Sequence, residues 1–223
     1  MIKVSHLCKS YRDGARQVQV LNDLSLEIRA GRSLAVTGPS GSGKSTFLNL
    51  LAGLLTPDSG KIEVTVNNQV TALDEASEKQ RTWFRRRRIG YVHQFFNLVP
   101  TLTVWENVAL PGALNKQTEL RDRAMAILAE FELEDRADAF PDVLSGGEQQ
   151  RVAVARAILI EPAIVLADEP TGNLDRDNTD VVTRLLFGTC QRFATTLVVA
   201  THSMEVARMA DQHIDLGDLT GGA

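Results

Sequence analysis

The chain has 223 residues, of which 43% are hydrophobic and 23% charged, and its formal net charge is −4. That length and composition fit one large domain, or one domain with an inserted subdomain, and exclude disorder of the whole chain. The acidic balance argues against a general nucleic-acid coat, which needs a basic surface to meet phosphates, so no nucleic-acid partner is expected.

Ile2 and Val4 open the chain as a strand, and residues 1–6 show no charged-then-apolar leader pattern. Asp13-Gly14 marks a turn. Val18, Val20 and Leu21 predict a second strand, and Leu24, Leu26 and Ile28, spaced at two, a third that ends at Ala30-Gly31. Leu34-Ala35-Val36 is short and apolar, as a buried parallel strand should be. A glycine-rich loop follows, then a helix over residues 45–54 stopped before Pro57, then an alternating strand at Ile62, Val64 and Val66.

Residues 89–92 predict a short strand. From Val104 to about residue 160 the pattern is mainly helical, with Val104, Val108, Ala124, Ile127, Leu128 and Phe131 recurring at three and four. We expect a helical insertion at about residues 95–160 of a single domain spanning 1–223. Residues 164–167 return to buried strand, and a helix near 178–192 and a strand at 196–200 complete an α/β pattern. The tail is short and carries Gly217, Gly221 and Gly222. Cys8 and Cys190 sit at opposite ends without metal-ligand spacing, so a reduced cytoplasmic chain is the simpler expectation, with a disulfide left open. No apolar run reaches the length of a membrane span; a place at a membrane would depend on another chain.

Gly38, Pro39, Ser40, Gly41, Ser42, Gly43, Lys44, Ser45 and Thr46 match the phosphate-loop pattern G-x-x-x-x-G-K-[ST] at every required position, between a predicted strand and a predicted helix. The glycines let the backbone aim N–H groups inward, and the helix N-terminus adds roughly half a positive charge. Lys44 would reach the terminal phosphates and Ser45 would offer a hydroxyl to Mg²⁺. The apolar strand at 164–167 ends in Asp168 and Glu169. Ligands of a parallel sheet collect beyond the carboxyl ends of its strands, so both strand ends would face the same phosphates. Asp168 would hold Mg²⁺ and Glu169 would take a proton from attacking water.

Leu144-Ser145-Gly146-Gly147-Glu148-Gln149-Gln150-Arg151 reads locally as a helix start, with Ser145 and Glu148 in capping-box spacing. With the following Val152-Ala153-Val154-Ala155-Arg156-Ala157 it resembles the signature motif of the ATP-binding-cassette (ABC) ATPases. The motif order agrees over essentially the whole chain: phosphate loop, glutamine loop at Gln94, signature, acidic strand end, Asn173-Leu174-Asp175, then Thr201-His202.

The resemblance implies an α/β fold: a P-loop NTPase core with a mixed sheet, an N-terminal antiparallel β subdomain and an inserted helical subdomain. It implies ATP and Mg²⁺ as cofactors. Tyr11 would stack on adenine, Gln94 would sense Mg²⁺ and attacking water, and His202 would contact the γ-phosphate. Catalysis would fall to Glu169, His202, Lys44 and Gln94, with Ser45, Gln94 and Asp168 at the metal. Two copies would pair head to tail on ATP binding, with Ser145, Gly146 and Gly147 of one closing over the ATP of the other and Asp175 at the interface. Each has an ordinary alternative: Tyr11 as a half-buried strand aromatic, Gln94 as a loop polar, His202 as a structural histidine, Asp175 as a helix cap.

Residues 93–108 and 168–175 resemble the lipoprotein-releasing and macrolide-exporter branch, whose ATPases serve integral membrane permeases; His93 stands where the branch often has Phe. That implies a homodimer docked on permease subunits at the inner face of the cell membrane. A cell-division cassette, or one serving repair, chromosome structure or translation, is the alternative; the single cassette and the lack of a heptad run argue against the latter group. Phe95, Phe96, Leu98 and Val99 would either pack inward or form a groove for a permease helix. The run Arg85-Arg86-Arg87-Arg88 reads as a solvated helix end or as a contact for lipid phosphates.

Overall fold

The computed structural model describes residues 1–14 and 16–217, so Gly221 and Gly222 lie outside the described residues. In chain order the elements are β1 (Ile2–Asp13), β2 (Arg16–Ile28), β3 (Ser33–Thr37), α1 (Lys44–Leu51), β4 (Ser59–Val66), β5 (Gln69–Ala72), α2 (Glu78–Arg88) and β6 (Ile89–Val92). Then follow α3 (Val104–Leu114), α4 (Leu120–Glu130), 3₁₀ turns at Glu134–Arg136 and Pro141–Val143, and α5 (Gly146–Ile158). β7 (Ile164–Asp168), α6 (Arg176–Arg192), β8 (Thr196–Ala200), α7 (Met204–Ala207) and β9 (Gln212–Asp215) complete the described chain.

The strands divide into two sheets. β2-β1-β4-β5 form an antiparallel sheet of four, and β6-β7-β8-β3-β9 a parallel sheet of five. Period-2 alternation sends neighbouring residues of the parallel strands into different cores. Leu34, Val36, Ile164, Leu166, Val198 and Ala200 pack with α1 and the antiparallel sheet. Ala35, Val165, Ala167, Leu197 and Val199 pack with α3, α4, α5 and α6. Burial on both faces is why these strands read as unbroken apolar runs.

Two boundaries differ from the sequence reading, and four elements were not expected. The two strands expected at residues 18–21 and 24–28 are one, β2. The ladder slips where His6 and Asp23 take φ of +52° and +53°, and His6 Nδ1 sits 2.7 Å from Asp23 Oδ1. Such a bulge breaks the alternation without breaking the strand. α1 ends at Leu51, not at residue 54: Gly53, at φ +63°, closes the helix by donating to Leu50 O at 2.9 Å, before Pro57 plays any part. β5, α2, α7 and β9 were not expected. α2 buries only Phe84 and so lacks an apolar stripe, although Ser77 and Gln80 cap it. Gln212–Asp215 is a short edge strand of mixed polarity. Cys8 and Cys190 are free thiols.

Candidate functional site

β3 delivers the chain, buried to its end at Thr37, into the glycine loop. Gly38, Gly41 and Gly43 have φ of +138°, +83° and +95°, values that side-chain-bearing residues rarely adopt. A Cβ on Gly43 would also sit 2.8 Å from Val20 O, so only glycine lets the loop press against β2. Lys44 Nζ donates to Gly38 O at 2.8 Å and to Pro39 O at 3.3 Å, curling over its own loop. It lies 3.8 Å from Glu169 Oε1. A cavity of about 540 Å³ is lined by residues 38–41 and 43–46, with Val20, Gln94, Glu169 and His202.

The end of β7 supplies the acidic wall. Asp168 Oδ1 is buried with no hydrogen-bond partner, while the Ser45 hydroxyl bonds the same carboxylate. Burial, then the adjacent Glu169 charge, pushes the Asp168 carboxyl above the usual carboxylate range, against the opposing pull of Ser45, His93 and Lys44. A buried oxygen short of a partner, beside a serine hydroxyl and a phosphate loop, is a donor set that fits a hard cation such as Mg²⁺.

Glu169 has φ +45°, the left-handed region, unusual for a residue with a side chain. Two backbone bonds hold it there: Glu169 N to Ala200 O at 2.9 Å and Gly172 N to Glu169 O at 3.1 Å. Its Oε2 accepts from His202 N at 3.2 Å and lies 2.8 Å from His202 Nδ1. The carboxylate is thus 14% exposed while the histidine is 69% exposed.

Gln94 follows β6, and its carbonyl accepts from Asn173 Nδ2 at 3.2 Å. Two side chains that the sequence reading assigned no role fasten this loop. Arg156 on α5 donates to Phe96 O at 2.9 Å and Asn97 O at 2.6 Å. Gln150, 1% exposed, donates to Pro170 O at 2.7 Å and His93 O at 3.4 Å, tying the glutamine loop to the acidic strand end. Both lie inside the signature stretch, but only tertiary placement, the burial of Gln150 and the loop carbonyls facing the half-buried Arg156, distinguishes them from surface polar residues. Val20 is a third omission; an apolar residue of a β-strand carries no signal of lining a polar site. Phe95 is 68% exposed, whereas Leu98 packs on the core. His93 stacks on Tyr91 with ring centres 4.3 Å apart.

Tyr11 lies at the outer edge of the loop, 41% exposed, with its hydroxyl 3.3 Å from Thr46 Oγ1, and does not line the cavity. The signature residues are not part of it either. Ser145 caps α5 in a capping box with Glu148. Gly147 is buried, and a Cβ there would overlap the Asn178 carboxamide, whereas a Cβ on Gly146 would meet nothing closer than 3.6 Å. Asp175 caps α6, accepting from Asn178 N at 2.9 Å.

A protein-family model described as ABC transporter matches residues 21–172. An uncharacterized ABC transporter ATP-binding protein of Mycobacterium tuberculosis is 44% identical over 97% of this chain and 86% of its own length. The lipoprotein-releasing system ATP-binding protein LolD of Treponema denticola is 40% identical over 95% of this chain and 92% of its own. Among solved structures, a dimeric post-hydrolysis state of the ATP-binding cassette MJ0796 bound to ADP and Pi superposes with a TM-score of 0.86 at 38% identity, covering 97% of this chain and 95% of that one. A second dimeric structure of that bacterial cassette gives 0.85 at 39% identity, with the same coverage. With the family model spanning most of the chain and relatives matching nearly all of it, this protein belongs to the ABC transporter ATPase family and is an ATP-binding, ATP-hydrolysing subunit.

Proposed function

We propose that this chain drives a separate membrane permease by closing and opening as a pair of copies, and that it belongs to the lipoprotein-releasing and macrolide-exporter branch. The observation that carries the reading is the cavity itself, which gathers the loop, Lys44, Gln94, Glu169 and His202 but none of Ser145, Gly146 and Gly147. One copy therefore holds half of the machinery that the family order calls for, and a second copy supplies the signature. The whole chain, 1–223, acts as one ATPase domain, with residues 95–160 as its helical part.

The backbone N–H groups of the 38–46 loop, Pro39 excepted, cradle the phosphates, and Lys44 swings from its loop carbonyls to the terminal phosphate. Ser45, Asp168 and Gln94 would hold Mg²⁺, and when bound the ion would supply positive charge to the phosphate oxygens. Glu169 positions water and takes its proton, its carboxylate aimed by His202, whose exposed ring meets the γ-phosphate. Tyr11 stacks on adenine at the loop edge. Phe95 forms part of the permease contact, and Leu98 stays in the core.

No helix among the described residues is long and apolar enough to cross a membrane, which is consistent with an ATPase held at the inner face by its permease. The test is mild-detergent extraction of the tagged chain from its own membranes, with identification of what co-purifies. An integral membrane protein at fixed stoichiometry is expected; DNA or ribosomes in its place would refute the transporter reading.

A further inference from the structure

α2 carries six cationic side chains against one carboxylate, Glu78, in a chain whose formal net charge is −4. Arg81 and Arg85 pair with that carboxylate at 2.9 and 2.8 Å, and Arg85 also donates to Gly53 O at 2.6 Å, so both serve the fold. Among the described residues Arg86, Arg87 and Arg88 form no ion pair. The guanidinium carbons of Arg87 and Arg88 lie 5.4 and 6.0 Å from the ring centre of Trp83, which is 49% exposed.

Trp83 divides two surface clefts. On one side a cleft of about 290 Å³ is lined by Trp83, Arg87, Arg88, Asn115, Gln117 and Ile160, with no carboxylate. On the other, a cleft of about 650 Å³ runs between Trp83, Phe84 and the exposed Val70, with Lys79, Gln80 and the carboxylate of Glu75 also on its wall. Neither shares a residue with the phosphate-loop cavity. Asn115 Nδ2 donates to Arg86 O at 2.8 Å and Pro111 O at 3.0 Å, so the cationic end of α2 is pinned against α3.

We propose that this patch is a contact for anionic phospholipid headgroups at a membrane surface. Guanidiniums without carboxylate partners would bind the lipid phosphate as a fork, and the tryptophan would lie at headgroup depth, where an amphipathic ring is at home. The apolar side of the larger cleft, Val70, Trp83 and Phe84, takes the start of the acyl region. Charge complementarity selects the anionic lipid: the patch is cationic on a chain that is otherwise strongly acidic, so attraction is local and orients the molecule. The proposal deepens the permease-bound reading by naming the surface beside which that complex sits.

The experiment is co-sedimentation of the full chain with protein-free vesicles of phosphatidylcholine alone or with about 30 mol % phosphatidylglycerol, at low and high salt. A Trp105→Phe background leaves Trp83 as the reporter tryptophan. Binding to the anionic vesicles alone, weakened by salt, with a blue shift of Trp83 emission, is expected. Arg87→Ala/Arg88→Ala should lower the partition about 25-fold, roughly fivefold per arginine, and leave ATP hydrolysis unchanged. Equal binding by the double variant would overturn the proposal. So would a response to soluble glycerol phosphate without vesicle binding, which would mark a small-anion site. In a further arm with vesicles that carry the co-purified membrane protein, binding to those alone would also overturn the proposal and make the patch a protein-docking surface. Because the first vesicles contain no protein, failure to bind them leaves the permease reading intact.

Discussion

His202 Nδ1 lies 2.8 Å from Glu169 Oε2, and the backbone N–H of His202 donates to that same oxygen at 3.2 Å. The two residues come from the ends of adjacent strands, β7 and β8, paired in register from Ile164 with Thr196 to Asp168 with Ala200. The histidine therefore fixes the direction of the carboxylate before any nucleotide arrives. Glu169→Gln keeps the size and much of the hydrogen bonding but removes the base. Phosphate release should fall by about 10²–10⁴ while ATP binding persists and an ATP-bound dimer accumulates. Single-turnover assays and size-exclusion chromatography read both, and normal turnover would sink the role given to Glu169.

Asp168→Asn separates stability from function. Burial raises the Asp168 carboxyl above its ordinary range. As pH rises past the unfolded pKa, the unfolded chain releases this proton first, so stability falls until the folded group has also ionised and is level above that. The neutral amide avoids this cost. Thermal melts without nucleotide from about pH 4 to 8 should show the variant at or above the parent, with the gap opening in the acid range. The stabilisation by ATP that depends on Mg²⁺ should be lost. An equal response of both proteins to Mg²⁺ would remove Asp168 from the metal.

Gly146 and Gly147 should behave differently, although they are neighbours in one motif. Alanine at 147 would overlap the Asn178 carboxamide, which is itself held by Asp175 at 2.9 and 3.0 Å, and should destabilise the chain by about 1–3 kcal/mol. Alanine at 146 meets the ring edge of Phe96 at 3.6 Å and Leu174 Cδ2 at 3.9 Å, both ordinary van der Waals contacts, and should leave the urea midpoint nearly unchanged. If Gly146→Ala also hydrolyses ATP normally at concentrations where the pair forms, the signature does not close on nucleotide at that position.

Arg156 is a half-buried cation whose guanidinium pKa is lowered by desolvation, and it spends two donors on the carbonyls of Phe96 and Asn97. Arg156→Ala leaves those carbonyls without their charged donor and should cost about 1–3 kcal/mol. Hydrolysis should fall as well, because the glutamine loop beginning at Gln94 loses its anchor on α5. Chemical denaturation together with ATPase assays at saturating ATP distinguishes the two effects; a stable variant with unaltered turnover would show that the anchor is dispensable.

Local chemistry made part of this protein legible from its sequence. The loop at 38–46 needs glycine where φ is positive and lysine where phosphate collects, so its residue types and spacing carry its function. The runs at Leu34-Ala35-Val36 and 164–167 are apolar throughout because a parallel sheet buries both faces. Asp175 could be read as a cap because a cap acts within three residues of itself.

Long-range placement was decided by the tertiary structure. No spacing states that Glu169 and His202, 33 residues apart, share one oxygen, or that Gln150 bridges His93 and Pro170. Those contacts follow from strand order, β6-β7-β8-β3-β9, which sets β7 and β8 side by side and aligns their carboxyl ends with the loop after β3. The extent of α2 escaped the sequence reading because a helix with one buried side chain has no periodic stripe; its arginine run stood out in the sequence, but only the fold showed which of those arginines are paired. Sequence carries what one residue and its neighbours can do; which strand ends meet depends on how the sheet closes its hydrophobic faces.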